Sequence, residues 1–572
     1  MSVILLHSVH KIFTVSAFSS AARFKAVKPV IHILKHLELT ASFCVSSHLK
    51  MKTGTYLISV PGFQYQIKDE KDINAGGYDC VVYTSGEPPN SDSHPEAIKS
   101  VLARASKLDE ALSTEGGLFE VNLTAGRLVY SPTGPLSDYH DVRSYGEAVK
   151  QGILRAIKAG SKAPLLVLPQ SSAFTHTQLV SVLGALEALY LSIQYREDCP
   201  DKNPKIKSLG VWGYKGSNAD SFFKYVVALE NGRCVCRDIG GGDPERMAPP
   251  RVVDYVKEAF PANSGISIKI EDQLSFLEKE YPLYAAVNRC ASVVERHNGR
   301  VVYLSYDGGN ATESLLLVGK GVTYDTGGAD LKVNGFMAGM SRDKCGAAAV
   351  AGFMKVLSEL KPANLKVIGA LSLVRNSVGS NCYVSDEVIV ARSKKRVRVN
   401  NTDAEGRMIM ADVLCHMKEL AQNLPNPHLM TVATLTGHAC LAAGNGYSIV
   451  MDNAVAREQK FSSKLQEAGQ KIGNPFEISY LRREDFKFHK GVAPGDDLRQ
   501  SNDLPSSRTA RGHQTPGAFL IMASGLDECD LSSDKPLKYS HVDIAASGGD
   551  LPNEATGAPV LAFAAHYLPV PA

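Results

Sequence analysis

The C-terminal half of the sequence alternates between short apolar runs and longer segments whose apolar residues have helical spacing. The apolar runs predict strands at 301–306, 314–318, 365–374, 428–435 and 540–544. Between them, helical periodicity predicts helices at 343–360 and 405–423, the first ended by Pro362. Strands separated by helices indicate a mostly parallel sheet covered by helices, which restricts this half of the chain to the α/β class.

A second alternation of strand and helix occupies the region from about residue 55 to residue 225. Its predicted strands lie at 118–123, 164–169 and 207–212, and its predicted helices at 144–159 and 177–195. We therefore predict two domains, an N-terminal α/β domain over residues 51–230 and a C-terminal domain over residues 231–572. The glycine-rich segment 239–243 is interpreted as a loop, since it lacks the lysine and the glycine spacing of nucleotide-binding loops.

The first fifty residues form an extension with six basic residues and a single acid, Glu38. This composition is typical of an organelle presequence. The alternative is an upstream segment without function, with Met51 as the natural start of the folded chain. The two interpretations predict different compartments, mitochondrial for a presequence and cytoplasmic otherwise.

Composition excludes several classes of protein. A net charge of +3 and a charged fraction of 21% lack the basic excess that is common in nucleic-acid-binding proteins. The eleven cysteines are scattered, so neither a disulfide framework nor a cysteine-based zinc site is indicated. Apolar runs stay well below the roughly 20 residues that a membrane span needs. We expect neither nucleic acid nor a membrane as a partner. The scattered cysteines indicate a reducing compartment.

Six polar residues lie where a predicted strand ends or a predicted helix begins. They are Lys320, Asp325, Asp343, Asp403, Glu405 and Arg407. In a parallel sheet such positions face one cleft. Carboxylates bind divalent cations, and two neighbouring cations need bridging carboxylates to offset their repulsion; a lysine can join them only as the neutral amine. The spacing alone also permits a solvated Lys320 and acids that cap helices or lie in their first turns.

Three segments then match a known family. The segments 318–328 (VGKGVTYDTGG), 340–343 (MSRD) and 401–407 (NTDAEGR), together with Lys332, strongly resemble the leucyl aminopeptidase (cytosol aminopeptidase) family and, in wording, its animal aminopeptidase-like branch. The resemblance covers residues from about 232 to the C-terminus. In the N-terminal part only the α/β pattern matches, and the family implies a macro-like domain there.

The resemblance implies a role for each matching residue. Lys320, Asp325, Asp343 and Glu405 match the ligands of a tightly bound metal ion. Asp325, Asp403 and Glu405 match those of a more exchangeable ion, so that Asp325 and Glu405 would bridge. The two ions per subunit would be zinc, with manganese, magnesium or cobalt as alternatives. Lys332 and Arg407 match the catalytic residues, which stabilise the oxyanion and hold a bicarbonate ion acting as general base.

The family also implies a pocket for the first side chain of the substrate. Its residues match Met340, Thr434, Leu435, Gly437, Ala545 and Gly548. Gly548 stands where many family members have a larger residue, so we expect a wide pocket that accepts leucine and other bulky apolar residues. The segment 376–383 also departs from the common family wording, which affects the expected substrate preference rather than the metal chemistry. We interpret His438 and His541 as packing or hydrogen-bonding residues.

The leading hypothesis is therefore a metal-dependent aminopeptidase that acts on peptides, assembled as a homohexamer as the family implies. Two alternatives stay open. A different dinuclear hydrolase, such as a phosphoesterase, would use the same ligands. The chain could instead be a binding protein whose N-terminal domain binds a nucleotide or nucleic acid, as some bacterial family members bind DNA, with catalysis incidental. The charge balance argues against strong DNA affinity.

Overall fold

The computed structural model describes residues 54–171, 173–202, 206 and 208–571. The basic extension at 1–50, with both of its interpretations, lies outside the described residues. Gly54–Ala572 form one compact unit with two large sheets, each flanked by helices. Within the described ranges, no helix combines the length and the apolar character that crossing a membrane requires.

The first large sheet has seven strands, which are β1 Thr55–Val60, β2 Phe63–Glu70, β3 Cys80–Tyr83, β4 Gly117–Glu120, β5 Arg127–Tyr130, β6 Pro164–Val167 and β7 Ser208–Trp212. Their order in the sheet is β1-β2-β7-β6-β3-β5-β4. The inner pairings, from β2 to β5, are parallel, while β1 and β4 pair antiparallel at the two edges.

Five helices accompany this sheet. They are α1 Glu96–Ala105, α2 Leu112–Glu115, α3 Arg143–Lys158, α4 Thr177–Leu189 and α5 Ile193–Asp198. The sequence predicts one helix over 177–195, but the structure divides it at Tyr190, whose backbone is extended. The hydroxyl of Tyr190 donates to Asp238 Oδ1 at 2.7 Å. This hydrogen bond satisfies the buried hydroxyl group at the point where the helix ends.

The long helix α6, Ala219–Gly241, follows the first sheet. It crosses the predicted boundary at residues 230 and 231, so the exact division into domains remains a prediction. The interpretation of 239–243 as a loop is wrong for residues 239–241, which belong to the last turn of this helix. A Cβ atom at Gly240 would lie 2.8 Å from the sulfur of Cys345. Glycine is required there by close packing rather than by a loop.

The second large sheet has eight strands, which are β8 Ile266–Glu271, β9 Arg300–Asp307, β10 Glu313–Asp325, β11 Leu365–Asn376, β14 Pro427–Ala433, β15 Ser448–Asp452, β16 Phe476–Tyr480 and β18 Lys538–Asp543. Their order in the sheet is β16-β15-β18-β14-β10-β11-β9-β8. The central strands β18, β14, β10 and β11 are parallel to one another, as predicted, whereas β9 and β15 join them antiparallel. Three short strands form a separate small sheet, β12 Val388–Val390, β13 Arg396–Arg398 and β17 Leu498–Arg499.

Helices cover both faces of the second sheet. They are α7 Pro249–Ala259, α8 Leu274–Glu280, α9 Pro282–Ala291, α10 Cys345–Leu360, α11 Glu405–Ala421, α12 Gly437–Ala443, α13 Ala454–Glu458, α14 Phe461–Lys471, α15 Arg483–Phe488, α16 Gln514–Ser524 and α17 Val560–Tyr567. Along β10, Leu315 and Leu317 pack with α10, while Leu316 and Val318 pack with α11. Because both faces are covered, the strand is a continuous apolar run.

Strand β10 is longer than the sequence predicts. It continues beyond Val318 to Asp325, so Lys320 lies inside the strand and Asp325 is its last residue. The charged side chain of Lys320 suggests a strand end, but this residue is only 3% exposed. The acids around its ammonium group offset part of the cost of burying its charge.

Candidate metal centre and substrate cleft

The site residues meet at the carboxyl ends of the parallel strands of the second sheet. Asp325 ends β10, Asp343 lies in the 3-10 turn Met340–Lys344 before α10, and Glu405 is the first residue of α11. Asp403 lies two residues before Glu405, and Lys320 reaches the group from within β10. Sequence-distant residues meet here because parallel strands end, and the following helices begin, at one edge of the sheet.

Glycine at position 406 gives Lys320 its path to this group. A Cβ atom at Gly406 would lie 2.6 Å from Cε and 2.8 Å from Nζ of Lys320. Any other residue at position 406 would therefore displace the lysine. This close approach explains why the segment 401–407 contains a glycine directly after Glu405.

Three buried carboxylates face one another at the centre of the site. Asp325, Asp343 and Glu405 each offer an oxygen, and these three oxygens lie within 4.8 Å of one another. Asp343 Oδ2 and Glu405 Oε2 are buried without a hydrogen-bond partner. Buried carboxylate oxygens need a counter-charge or a donor, so the site fits a bound cation with oxygen ligands.

Lys320 is the first of two lysines in the cluster. Its Nζ lies 2.7 Å from Asp343 Oδ1 and 2.9 Å from Glu405 Oε1, and it donates to the carbonyl oxygen of Thr434 at 2.9 Å. Burial opposes its charge, but Asp343 and Glu405 outweigh burial and raise the pKa of Lys320 above its usual value. Lys320 therefore neutralises carboxylates that would otherwise be free to bind a cation.

Lys332 is the second lysine, and it contacts the other side of the cluster. Its Nζ lies 3.0 Å from Asp325 Oδ2 and 2.5 Å from Asp403 Oδ1. Burial opposes the charge here too, and the attraction of Asp325 and Asp403 outweighs it, so the pKa of Lys332 is raised. The four carboxylates still outnumber the two ammonium groups.

Burial and mutual repulsion raise the pKa of three carboxyl groups in the cluster. Burial and the charge of Asp325 raise the pKa of Asp403 to about 7, against the opposing effect of Lys332. Burial and Asp325 likewise raise the pKa of Glu405. The pKa of Asp343 is raised by burial, with Glu405 adding to it against Lys320. Such repulsion among buried carboxylates is what a divalent cation relieves.

Arg407, two residues after Glu405, lies at the edge of the same cluster. Its Nη1 donates to the carbonyl oxygen of Gln500 at 3.0 Å, while its Nε is buried without a partner. Burial lowers the pKa of Arg407 to about 10. A buried guanidinium with a free N–H group fits a small anion with oxygen acceptors.

Two residues of the segment 376–383 support the carboxylate cluster, although the sequence predicts only an effect of this segment on substrate preference. Asn376, the last residue of β11, donates from Nδ2 to Asp325 Oδ1 at 2.8 Å. Tyr383 donates to the carbonyl oxygen of Thr402 at 2.7 Å, which fixes the segment that carries Asp403. Asn376 lies just past a predicted strand, as Asp325 does, so the same strand-end rule could have identified it. The contact of Tyr383 depends on the course of a loop and has no sequence signal.

The cluster lies in a cleft of about 810 Å³. All the predicted metal, catalytic and pocket residues line this cleft: Lys320, Asp325, Lys332, Met340, Asp343, Asp403, Glu405, Arg407, Thr434, Leu435, Gly437, Ala545 and Gly548. Their placement in one cleft is observed, while their individual roles remain predictions. The volume lies within the range of about 300–1,000 Å³ that is typical of small-molecule sites.

Two histidines beside the cleft make ordinary hydrogen bonds, as the sequence analysis predicts. Nδ1 of His541 lies 2.7 Å from the hydroxyl of Thr431, deep in the sheet. Nδ1 of His438 lies 2.7 Å from Nδ1 of His513, whose Nε2 contacts Ser479. Neither histidine belongs to the group of carboxylates.

The amino-acid sequence matches a known protein family and its members. Residues 234–564 match the catalytic domain of the cytosol aminopeptidase family. A Caenorhabditis elegans protein named as a putative aminopeptidase is 45% identical over 481 residues, which cover 82% of this chain and 91% of that protein. The match therefore extends into the N-terminal part, where the sequence analysis finds only a shared α/β pattern.

Solved structures show the same fold. A leucyl aminopeptidase from Leishmania major, in complex with actinonin, aligns with a TM-score of 0.71 and 20% identity, covering 87% of this chain and 93% of that one. The bottromycin maturation enzyme BotP, in complex with Mn, aligns with a TM-score of 0.68 and 20% identity, covering 85% and 98%. These likenesses confirm the predicted α/β fold.

Proposed function

Because this chain belongs to the cytosol aminopeptidase family, we propose that it removes the first residue of peptides with two divalent cations held in its carboxylate cluster. The family predicted from the three sequence segments is thereby confirmed. The chain is a metal-dependent aminopeptidase, and thus a hydrolase of the exopeptidase class. The number of metal ions, the role of each residue and the preferred substrate belong to the proposal.

One observation supports the proposal most directly. Asp325, Asp343 and Glu405 crowd their oxygens within 4.8 Å of one another inside a cleft, and two of these carboxylates have an unpartnered buried oxygen. A cluster of buried acids that served only the fold would be costly, because each charge loses its hydration. A site for divalent cations accounts for both the acids and their position in the cleft.

We assign Lys320, Asp325, Asp343 and Glu405 to one ion and Asp325, Asp403 and Glu405 to the other. Bound there, the two cations would activate a water molecule for attack on the first peptide bond and hold the free α-amino group of the substrate. Lys320 would have to release its proton to serve as a ligand, and its three polar contacts keep its Nζ beside Asp343 and Glu405.

Lys332 and Arg407 supply the remaining chemistry of the proposal. Lys332 is an ammonium in the cleft, and it would donate to the oxygen that becomes negative when the peptide carbonyl is attacked. Arg407 has a free buried Nε, so it would hold bicarbonate as a general base that accepts a proton from the attacking water. Zinc is the first metal to test, and manganese the second.

The proposal can be tested with the purified protein. Its metal content should be two divalent ions per subunit, and it should hydrolyse aminoacyl amides while leaving aryl phosphates intact. Hydrolysis of aryl phosphates in place of amides would instead establish a dinuclear phosphoesterase. Full activity in a metal-free preparation would reject the metal mechanism.

The lack of a side chain at Gly548 leads to a prediction about substrate range. A Cβ atom at Gly548 would lie 3.3 Å from Thr434 Cγ2 and 3.5 Å from Cys345 Cβ, so a side chain fits only tightly. We expect Gly548→Met to fill the pocket and to lower kcat/KM for phenylalanine amide relative to alanine amide. Filling an apolar pocket changes such ratios roughly 10–200-fold.

The matched control for this prediction is Gly495→Met. Gly495 lies outside the cleft, and a Cβ atom there would meet only Arg398, at 3.9 Å. This control should keep the substrate ranking of the original protein. If Gly548→Met also kept it, Gly548 would not line the pocket for the first residue.

Assembly and compartment are also part of the proposal. The family resemblance favours a homohexamer, and sedimentation of the metal-loaded protein would decide between hexamer and monomer. The cytoplasm is the compartment that the scattered cysteines favour. Microscopy of the full chain, with and without residues 1–50, would test it against the mitochondrial alternative.

A further inference from the structure

Exposed apolar side chains concentrate around the mouth of the catalytic cleft. Five large apolar residues line it, and their exposed fractions are 43% for Leu331, 58% for Val333, 72% for Phe336, 73% for Leu441 and 44% for Leu504. These five residues form the apolar rim. Within the described part of the chain, nineteen large apolar side chains are exposed. More than a quarter of them therefore lie in a single cleft, and such a concentration indicates a binding surface.

One side of the apolar rim is built on a tight turn. The N–H of Phe336 donates to the carbonyl oxygen of Val333 at 3.3 Å, and the two residues between them, Asn334 and Gly335, have φ values of 57° and 84°. Asn-Gly is the preferred pair for a type I′ turn, which requires positive φ at both central positions. The sequence thus encodes the turn that brings Val333 and Phe336 to the cleft mouth.

The other side comes from two separate elements. Leu441 lies on α12, and Leu504 lies in the segment between β17 and α16. These elements are joined at the cleft, because the backbone N–H of Gly437 donates to the hydroxyl of Ser506 at 3.0 Å. The apolar rim is therefore held by ordered contacts on both sides.

We propose that the apolar rim binds the second and third residues of peptide substrates and selects apolar side chains at those positions. This inference rests on the proposed function. Leu331 and Val333 flank Lys332, whose Nζ contacts Asp325 and Asp403, so the rim begins beside the metal centre. The cleft, at about 810 Å³, is also larger than one amino-acid side chain needs.

The test compares two peptides that differ only beyond the first residue, Leu-Phe-Leu-amide and Leu-Gly-Gly-amide. In the metal-loaded protein, the double variant Phe336→Ser/Leu441→Ser should lower the ratio of their kcat/KM values about 10-fold, since apolar contacts are lost only for the first peptide. The control is Val492→Ser, which removes an apolar residue that is 75% exposed and lies outside the cleft. It should leave the ratio unchanged.

A binding measurement separates this inference from the proposed function. Analogues of both peptides with a reduced first bond cannot be hydrolysed, and calorimetry gives the ratio of their affinities. If the affinity ratio falls in the double variant although the original protein cleaves no peptide, the rim is supported and the aminopeptidase proposal fails.

If peptides are cleaved but the double variant leaves both the kcat/KM ratio and the affinity ratio unchanged, the proposed role of the apolar rim is rejected. A changed oligomeric state with unchanged ratios would show that the rim contacts a second copy of the chain, and would reject the inference equally. Should the double variant fail to fold, Phe336→Ser and Leu504→Ser alone should each lower the ratio by a smaller factor.

Discussion

Replacing Glu405 with glutamine should lower kcat at least about 10³-fold while the protein stays folded. Glu405 is 1% exposed and, like Asp325, is an acid assigned to both cations. Metal catalysis contributes several kcal/mol to the lowering of the barrier, and each 1.4 kcal/mol or so corresponds to about tenfold in rate. Glutamine has the shape of glutamate and can still accept from Lys320, so the fold should survive the loss of charge.

Three measurements check this expectation: kcat on leucine amide, metal content per subunit and thermal unfolding. The control is Glu419→Gln, on the same helix, where the carboxylate of an exposed residue pairs with Arg392 at 2.8 Å. A surface ion pair contributes little, so this control should keep full activity and both ions. Turnover of Glu405→Gln at the rate of the original protein would reject the assignment of Glu405 as a metal ligand.

The sequence predicts the chemistry of the site better than its local geometry. The order of apolar runs and helical segments is sufficient for the parallel core of the second sheet. The motif at 401–407 then brings Asp403 and Glu405 to the start of α11, because an acid is favoured at a helix N-terminus and also faces the strand ends. Local pattern and global topology agree at these positions.

Where prediction failed, a tertiary contact overrode the local pattern. Lys320 reads as a residue beyond a strand, yet β10 continues through it, because Asp343 and Glu405 provide counter-charges that no local window contains. Gly240 reads as a loop residue, yet it lies in α6, where Cys345 leaves no room for a side chain. Asp343 and Glu405 lie 23 and 85 residues after Lys320, and Cys345 lies 105 residues after Gly240, so these partners become adjacent only in the fold.

The contacts of Lys332 differ from the role that the family resemblance implies for it. Its Nζ contacts Asp325 and Asp403, both assigned to the more exchangeable ion, whereas the family resemblance assigns Lys332 to the substrate. A lysine that neutralises ligands competes with the ion, whereas a lysine that serves the substrate turns towards the reacting carbonyl. The two lysines of the cluster should therefore respond differently when each is removed.

Lys332→Ala should bind two ions per subunit at least as well as the original protein but lose about 10²–10³ in kcat, the usual effect of losing a preorganised oxyanion donor. The ions keep their sites because the substitution removes a competing charge from Asp325 and Asp403. Lys320→Ala should behave in the opposite order. It removes a proposed ligand, so metal occupancy should fall first and activity as a consequence.

The deciding experiment measures metal content and kcat for both variants across a range of metal concentrations. Excess metal should restore much of the activity of Lys320→Ala, since its defect is in binding, and none of that of Lys332→Ala, since its defect is in the transition state. Lys366→Ala is the control, because this lysine lies on β11 and pairs with the exposed Asp307, at 2.8 Å. If Lys332→Ala lost metal while Lys320→Ala kept it, the roles of the two lysines would have to be exchanged.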